Sequence, residues 1–197
     1  MRKDTEGRVR LKIVFYGPSL SGKTTQLKSL YNHAEGIDKG KFTSLEDPTG
    51  RTLFFDFVPM QATGKVIFDV YTTAGQSRHK HQRKIVLNAV DGIIFVVDSS
   101  KDALQDNIDS LKELRRELGS DLGEKIPMVV TLNKRDLPNA LPRGKLLVSL
   151  DLKGYPVYET IATEGFGVKK AFQSLAREIL LKQIYQIEEY EAAIPSS

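Results

Sequence analysis

The sequence contains no cysteine and no tryptophan, and it has no long hydrophobic run. Without cysteine the chain cannot form a disulfide, a thiol nucleophile or a thiolate metal site, and it cannot be prenylated or palmitoylated. The longest apolar run, Ile93 to Val97, falls far short of the roughly 20 residues that a membrane-spanning helix needs. The polar start also lacks the apolar core of a signal peptide. These absences predict a soluble cytoplasmic protein without a membrane anchor.

The composition is that of one ordinary globular domain. The 197 residues are 40% hydrophobic and 27% charged, which suffices for one sizeable core and predicts a single domain over 1–197. We expect residues 1–8 and about 189–197 to be flexible, because both ends are polar. The net charge of +4 is spread along the chain and does not indicate a nucleic-acid partner. One modest basic patch is predicted to be a solvated or protein-binding helix face: Arg78, Lys80, Arg83 and Lys84.

A glycine-rich segment organises the chain. It reads Gly17-Pro18-Ser19-Leu20-Ser21-Gly22-Lys23-Thr24 and is followed by Thr25. The segment matches G-x-x-x-x-G-K-[ST], a phosphate-binding pattern when a strand enters it and a helix leaves it. Val9 to Tyr16 has the pattern of a strand, and Thr24 to Asn32 has helical spacing. We predict that residues 17–25 bind a nucleotide, with Lys23 against its β- and γ-phosphates and the Thr24 hydroxyl on Mg2+.

Strands and helices alternate along the chain. The predicted strands are Val9 to Tyr16, Arg51 to Pro59, Lys65 to Thr72, Asp91 to Asp98, Ile126 to Leu132 and Tyr155 to Thr160. This order predicts an α/β P-loop NTPase fold, with a mostly parallel six-stranded sheet, one antiparallel hairpin and helices on both faces. Glu35 to Gly50 is predicted to be a mobile functional loop. Ser77 to Ala89 is predicted to be a weakly packed helix with Ile85, Val86 and Ala89 as its apolar face. Ligands of such sheets bind at the carboxyl ends of the strands.

A second motif follows the fifth predicted strand. Asn133-Lys134-Arg135-Asp136 matches N-K-x-D, and with the glycine-rich loop it makes the chain resemble the small Ras-like GTPases. The Asp136 carboxylate can accept from the ring N–H and the exocyclic amine of guanine. Adenine would leave this charged group unmatched, at about 1–3 kcal/mol or more. The resemblance implies that Asn133 braces the loops, that the Lys134 stem lies over the base, and that the Ala162 N–H meets the guanine oxygen. An ordinary polar loop and a plain turn are the alternatives.

The end of the third predicted strand departs from that family. Most Ras-like proteins have Asp-x-Ala-Gly-Gln there, with the Asp holding Mg2+ through water, whereas this chain has Thr72-Thr73-Ala74-Gly75-Gln76. Asp69 and Asp56 are the possible replacements. Asp69 should point to the face opposite Thr72, because three residues separate them on one strand. We favour Asp56, since a carboxylate among three phenylalanines is costly to bury without a partner; a solvated strand edge remains the alternative for it.

The missing Asp, the segment Arg51 to Phe57 and the two motifs together resemble the gliding-motility GTPases of the MglA type. That resemblance implies a polarity switch at a cell pole, with a roadblock-type activating protein and downstream effectors. It makes Arg51 an arginine finger and Thr52 a Mg2+ ligand. Gln76 would orient the attacking water, Gly75 would contact the nucleotide and Lys23 would assist catalysis. A strand-edge salt bridge for Arg51, a binding module with negligible hydrolysis and a P-loop kinase remain alternatives. The subgroup usually has Thr-Val-Pro-Gly-Gln and then an aromatic residue, so docking of the same partner stays open.

Overall fold

A computed structural model describes residues 2–33, 38–46, 52–63, 65–74 and 80–192. The strands are β1 (Arg2–Lys3), β2 (Val9–Tyr16), β3 (Asp38–Lys39), β4 (Thr43–Glu46), β5 (Thr52–Thr63), β6 (Val66–Thr72), β7 (Gly92–Asp98), β8 (Met128–Asn133) and β9 (Val157–Glu159). The helices are α1 (Lys23–His33), α2 (Lys80–Leu87), α3 (Leu104–Leu118), α4 (Asp121–Glu124), α5 (Arg143–Ser149) and α6 (Val168–Ala192).

These strands form one sheet in the order β3-β5-β6-β2-β7-β8-β9, with β1 added to β2 and β4 added to β5. The run from β6 to β9 is parallel, whereas β5 and β6 form an antiparallel hairpin in which Val58 lies opposite Val70. The six predicted strands and the predicted hairpin are therefore confirmed. The short strands β3 and β4 pair antiparallel with β5, inside the segment that we expected to be a loop.

The side chains of β2 alternate between two hydrophobic clusters, one on each face of the sheet. Leu11, Ile13 and Phe15 pack in the cluster that contains residues of α1 and α6. Val14 and Tyr16 pack in the other, with residues of α2, α3 and α5. Each of the five is at most 1% exposed, as expected for a parallel strand covered on both faces. This packing fixes β2 in the centre of the domain and holds the loop that follows it.

The predicted apolar face of the helix after β6 is wrong in two of its three residues. Ile85 is 52% exposed and Ala89 is also exposed, whereas Val86 is buried. Leu87 and Arg83 are the other buried residues of α2, and Arg83 is only 4% exposed. The basic patch is thus not a uniformly solvated face: Arg83 points inward because it has an acidic partner on α3, which helical periodicity cannot reveal.

Both ends contain more regular structure than their polar composition suggested. Arg2 and Lys3 pair with β2, and the Arg2 side chain donates to Asp91 at 2.7 Å. The backbone of α6 remains helical through Ala192, so 189–192 are helical rather than irregular. Residue 1 and residues 193–197 lie outside the described part of the chain.

Candidate nucleotide-binding site

The loop between β2 and α1 follows a path that only glycine permits at two points. At Gly17, with φ +153°, a Cβ would lie 2.3 Å from the carbonyl oxygen of Val96 in β7. At Gly22, with φ +99°, a Cβ would lie 2.2 Å from the Asn133 Nδ2 atom. The loop is therefore pressed against β7 and β8 as it enters α1. Free N–H groups and the helix dipole favour an anion at that helix N-terminus.

Lys23 is a buried cation at the start of α1. The residue is 6% exposed, and its Nζ donates to the Gly17 and Pro18 carbonyl oxygens at 3.0 and 2.6 Å. Burial lowers the pKa of Lys23 from 10.5 to about 7, and the nearby positive charge of Arg83 lowers it further, against the opposing effect of Asp56. An amine in this state is stabilised by an anion beside it, which is what a phosphate-binding loop brings.

Asp56 on β5 joins the glycine-rich loop to the end of β6. Its side chain is fully buried, and its Oδ2 accepts hydrogen bonds from Thr24 Oγ1 at 2.5 Å and from Thr72 Oγ1 at 2.7 Å. The Asp56 N–H donates to the same Thr72 hydroxyl at 3.0 Å. The alternative of a solvated strand edge for Asp56 is therefore wrong. Asp69 instead pairs with Arg10, away from Thr24.

The oxygen atoms around Asp56 fit a magnesium ion. The part of the chain that the structure describes contains no group of three or more His, Cys, Asp or Glu residues, so a metal cage made wholly of protein ligands is absent there. Mg2+ commonly binds one or two carboxylates, keeps several waters and takes its remaining ligands from substrate phosphates. One carboxylate beside the Thr24 hydroxyl supplies this protein share. Thr52 begins β5 opposite Glu46, and its side chain lies outside the described part.

Asn133, at the end of β8, braces two loops. It is 2% exposed, and its Nδ2 donates to the Ser21 carbonyl oxygen at 2.8 Å. Its Oδ1 accepts from the Ala162 N–H at 3.1 Å and from Thr160 Oγ1 at 3.2 Å. The bracing function of Asn133 agrees with the resemblance. The Ala162 N–H is bonded to Asn133 here, so its contact with guanine stays a prediction.

Lys134 and Asp136 lie on the outer side of the same loop. Lys134 has a positive φ of 63°, and its Nζ contacts Asp98 Oδ2 at 2.6 Å. Asp98 is 5% exposed and also accepts from the Ser100 N–H and hydroxyl. The ion pair fixes the end of the Lys134 side chain against β7. Asp136 is exposed, as a carboxylate that reads an entering base must be.

The sequence analysis missed several residues that hold the site together. Gln26 of α1 is fully buried, and its Nε2 donates to the hydroxyls of Thr131 and Thr160, both at 3.1 Å. It thereby links the first helix to the loop after β9. Asp98 and Arg83 were also missed. Their only signal in the sequence is a polar residue within or next to an otherwise apolar element.

Other predicted residues vary in exposure. Within the glycine-rich loop, Pro18 and Ser21 are buried, Ser19 is half-buried and Leu20 is exposed, as is Thr25 in the first turn of α1. The predictions for Arg51, Gly75 and Gln76 fall outside the described residues.

Comparison with known proteins assigns this site to a family. The family model for "Arf: ADP-ribosylation factor family" matches residues 1–179. The mutual gliding-motility protein MglA of Myxococcus xanthus is 42% identical over 179 residues, which is 87% of this chain and 91% of MglA. The Ras-related protein RABG1 of Arabidopsis thaliana is 30% identical over 96% of this chain and 93% of its own.

A solved structure shows the same fold. The Arl6 BBS3 small GTPase from Trypanosoma brucei, bound to the nucleotide analogue GppNp, superposes with a TM-score of 0.69 at 21% identity, over 88% of this chain and 99% of its own. At that identity the likeness concerns the fold alone.

The comparisons and the geometry agree on a guanine-nucleotide switch. The phosphate-binding loop, the buried Lys23 and the bracing Asn133 lie together at the carboxyl ends of the strands, where the fold predicts a ligand. The protein binds GTP and GDP and hydrolyses GTP to GDP and phosphate, which sets aside the kinase and the non-hydrolysing binding module. The chain therefore belongs to the Ras-like small GTPases, within the ADP-ribosylation factor family and related to MglA.

Proposed function

We propose that this GTPase is a magnesium-dependent switch that controls cell polarity or motility through partners that distinguish its GTP and GDP forms. The contact of Asp56 with both Thr24 and Thr72 supports the metal dependence. The 42% identity to a gliding-motility protein supports the biological setting. The proposed partners are a roadblock-type activating protein and downstream effectors, and the proposed location is the cytoplasm with recruitment to a cell pole. Among the described residues no helix is long and apolar enough to cross a membrane.

The proposed mechanism is in-line attack of water on the γ-phosphate, with catalysis by positioning and charge stabilisation. Lys23 places a buried amine beside the phosphate-binding loop, and Asp56 holds the Thr24 hydroxyl. Bound Mg2+ supplies positive charge next to the phosphate oxygens. Gln76 orients the water, and Arg51 neutralises developing charge, an effect of about 10^3- to 10^5-fold in rate in related enzymes. Turnover without an activator should be slow, because Arg51 has to be placed.

A substitution at Asp56 tests the metal site. Asp56→Asn keeps the shape of the side chain but removes its charge, so we expect release of a fluorescent GDP analogue to be suppressed only at about 10- to 100-fold more Mg2+. Asp69→Asn is the matched control, because Asp69 is also a buried aspartate of the hairpin but pairs with Arg10. An unchanged Mg2+ midpoint in Asp56→Asn, with the control also unchanged, would refute the assignment.

Phosphate release under single-turnover conditions tests the switch and its activator. We expect slow hydrolysis by the GTPase alone and faster hydrolysis when the cognate roadblock-type protein is added. Gln76→Leu should lose most of that stimulation while still binding GTP. If Gln76→Leu hydrolysed GTP as fast as the parent with the activator present, Gln76 would not orient the water. If the roadblock-type protein neither bound nor stimulated the parent, the partner assignment would be wrong.

A further inference from the structure

A buried ion pair joins α2 to α3 beside the nucleotide site. Arg83 of α2 is 4% exposed and the side chain of Glu113 of α3 is 15% exposed. The guanidinium engages both carboxylate oxygens: Nε lies 3.1 Å from Oε1, and Nη2 lies 2.8 Å from Oε1 and 2.9 Å from Oε2. This two-point geometry orients the plane of the guanidinium, which a lysine in the same place could not do.

The other arm of the guanidinium holds the main chain at the end of β6. Arg83 Nη1 donates to the carbonyl oxygen of Ala74 at 3.2 Å. Ala74 is fully buried and comes directly before Gly75 and Gln76 in the sequence. The anchor for the start of the proposed catalytic segment is therefore a side chain of α2, oriented by a carboxylate of α3.

The Arg83 charge is also felt at the phosphate-binding loop, where it contributes to the lowered pKa of Lys23. Fold stability alone does not account for such a pair. A buried ion pair commonly gives little net stability over a well-packed apolar pair of similar volume. A guanidinium that must reach a carboxylate and a carbonyl at once does, however, impose one geometry on the three segments that it joins.

We propose that Arg83, oriented by Glu113, is a positioning residue for GTP hydrolysis: it fixes the Ala74 carbonyl and so places the segment that follows β6 against the γ-phosphate. This inference rests on the proposed function only in taking that segment to be catalytic. Arg83 acts through the main chain, and it should affect the rate of the chemical step more than the affinity for nucleotide.

Glu113→Gln is the primary test, because it keeps the size of the side chain and removes the charge that orients Arg83. We expect intrinsic single-turnover hydrolysis to slow about 10- to 100-fold, since small misplacements of catalytic groups have effects of that size. The dissociation constants for GTP and GDP should change by less than about threefold. Glu117→Gln, one turn further along α3 and exposed, is the matched control and should behave as the parent does.

The exchanged pair Arg83→Glu with Glu113→Arg separates positioning from stability. It restores an ion pair between the helices but leaves no guanidinium on α2 to donate to Ala74. We expect it to recover thermal stability without recovering hydrolysis. Parent-like hydrolysis in Glu113→Gln, or recovery of both properties in the exchanged pair, would overturn the inference. Parent-like hydrolysis in Gln76→Leu would instead overturn the proposed role of Gln76 and leave the result at Glu113 standing as a separate outcome.

Discussion

The buried amine of Lys23 should make nucleotide binding depend on pH. Its pKa is lowered from 10.5 to about 7, chiefly by burial, and the residue is 6% exposed. The difference corresponds to about 5 kcal/mol between the charged and neutral forms. A polyphosphate beside the amine stabilises the charged form and raises this pKa again, so binding above about pH 7 takes up a proton.

The direction of the effect follows from counting protons. Between about pH 7 and pH 10.5 the nucleotide-free folded protein binds fewer protons at Lys23 than the unfolded chain does. Its free energy of unfolding should therefore rise with pH across this window, as far as Lys23 contributes. The affinity for GDP should fall instead, by up to about tenfold per pH unit, because the bound state needs a proton that the solution supplies less readily. Between about pH 7.5 and 9.5 the dissociation constant should increase about 100-fold.

Isothermal titration calorimetry measures this linkage directly. Titrations of GDP near about pH 8.5, in two buffers that differ in ionisation enthalpy, should show uptake of about one proton per nucleotide. Lys23→Arg is the matched variant, because a guanidinium stays charged over this range; its affinity is expected to be lower but to lose most of the pH dependence. Equal pH dependence in parent and variant, or no proton uptake by the parent, would refute the reasoning.

Two further substitutions test how the loops are held. Asn133→Ala leaves the buried Ala162 N–H without its acceptor and should lower the free energy of unfolding by about 1–3 kcal/mol in urea denaturation, whereas the exposed Asn139→Ala should change it by less than about 0.5 kcal/mol; equal values for the two variants would contradict the bracing role. Gly22→Ala places a Cβ 2.2 Å from Asn133 Nδ2 and should weaken GDP binding by more than about tenfold at equilibrium. Gly144→Ala, where a Cβ meets nothing within 4 Å, should bind GDP as the parent does, and parent-like binding by Gly22→Ala as well would show that the loop can relax.

The parts of the fold that depend on local pattern could be predicted well. Short apolar runs between turn residues marked the buried parallel strands, and motifs at their carboxyl ends marked the two loops at Gly17 and Asn133. The argument for Asp56 also succeeded, because burying an unpartnered carboxylate among aromatic residues is unfavourable wherever the strand lies. Its partners, the hydroxyls of Thr24 and Thr72, became visible only with the strands paired.

The predictions that failed concern interactions with distant residues. The short strands β3 and β4 exist because β5 offers an edge to pair with, whereas their own sequence has no steady period. The helix α2 buries Arg83 in place of Ile85 because Glu113 satisfies its charge from another helix. Amphipathic periodicity assigns every charged residue to the solvent side and therefore cannot identify such a pair.

By itself, the sequence determined which residues can bind phosphate and guanine, since those motifs are short, contiguous and tied to strand ends. Only the tertiary structure decided how the site is completed. The bonds from Asp56 to Thr24 and Thr72 span 32 and 16 residues, and the bonds from Arg83 to Glu113 span 30. Contacts over such separations depend on strand register and helix packing, which the whole fold sets and no local pattern contains.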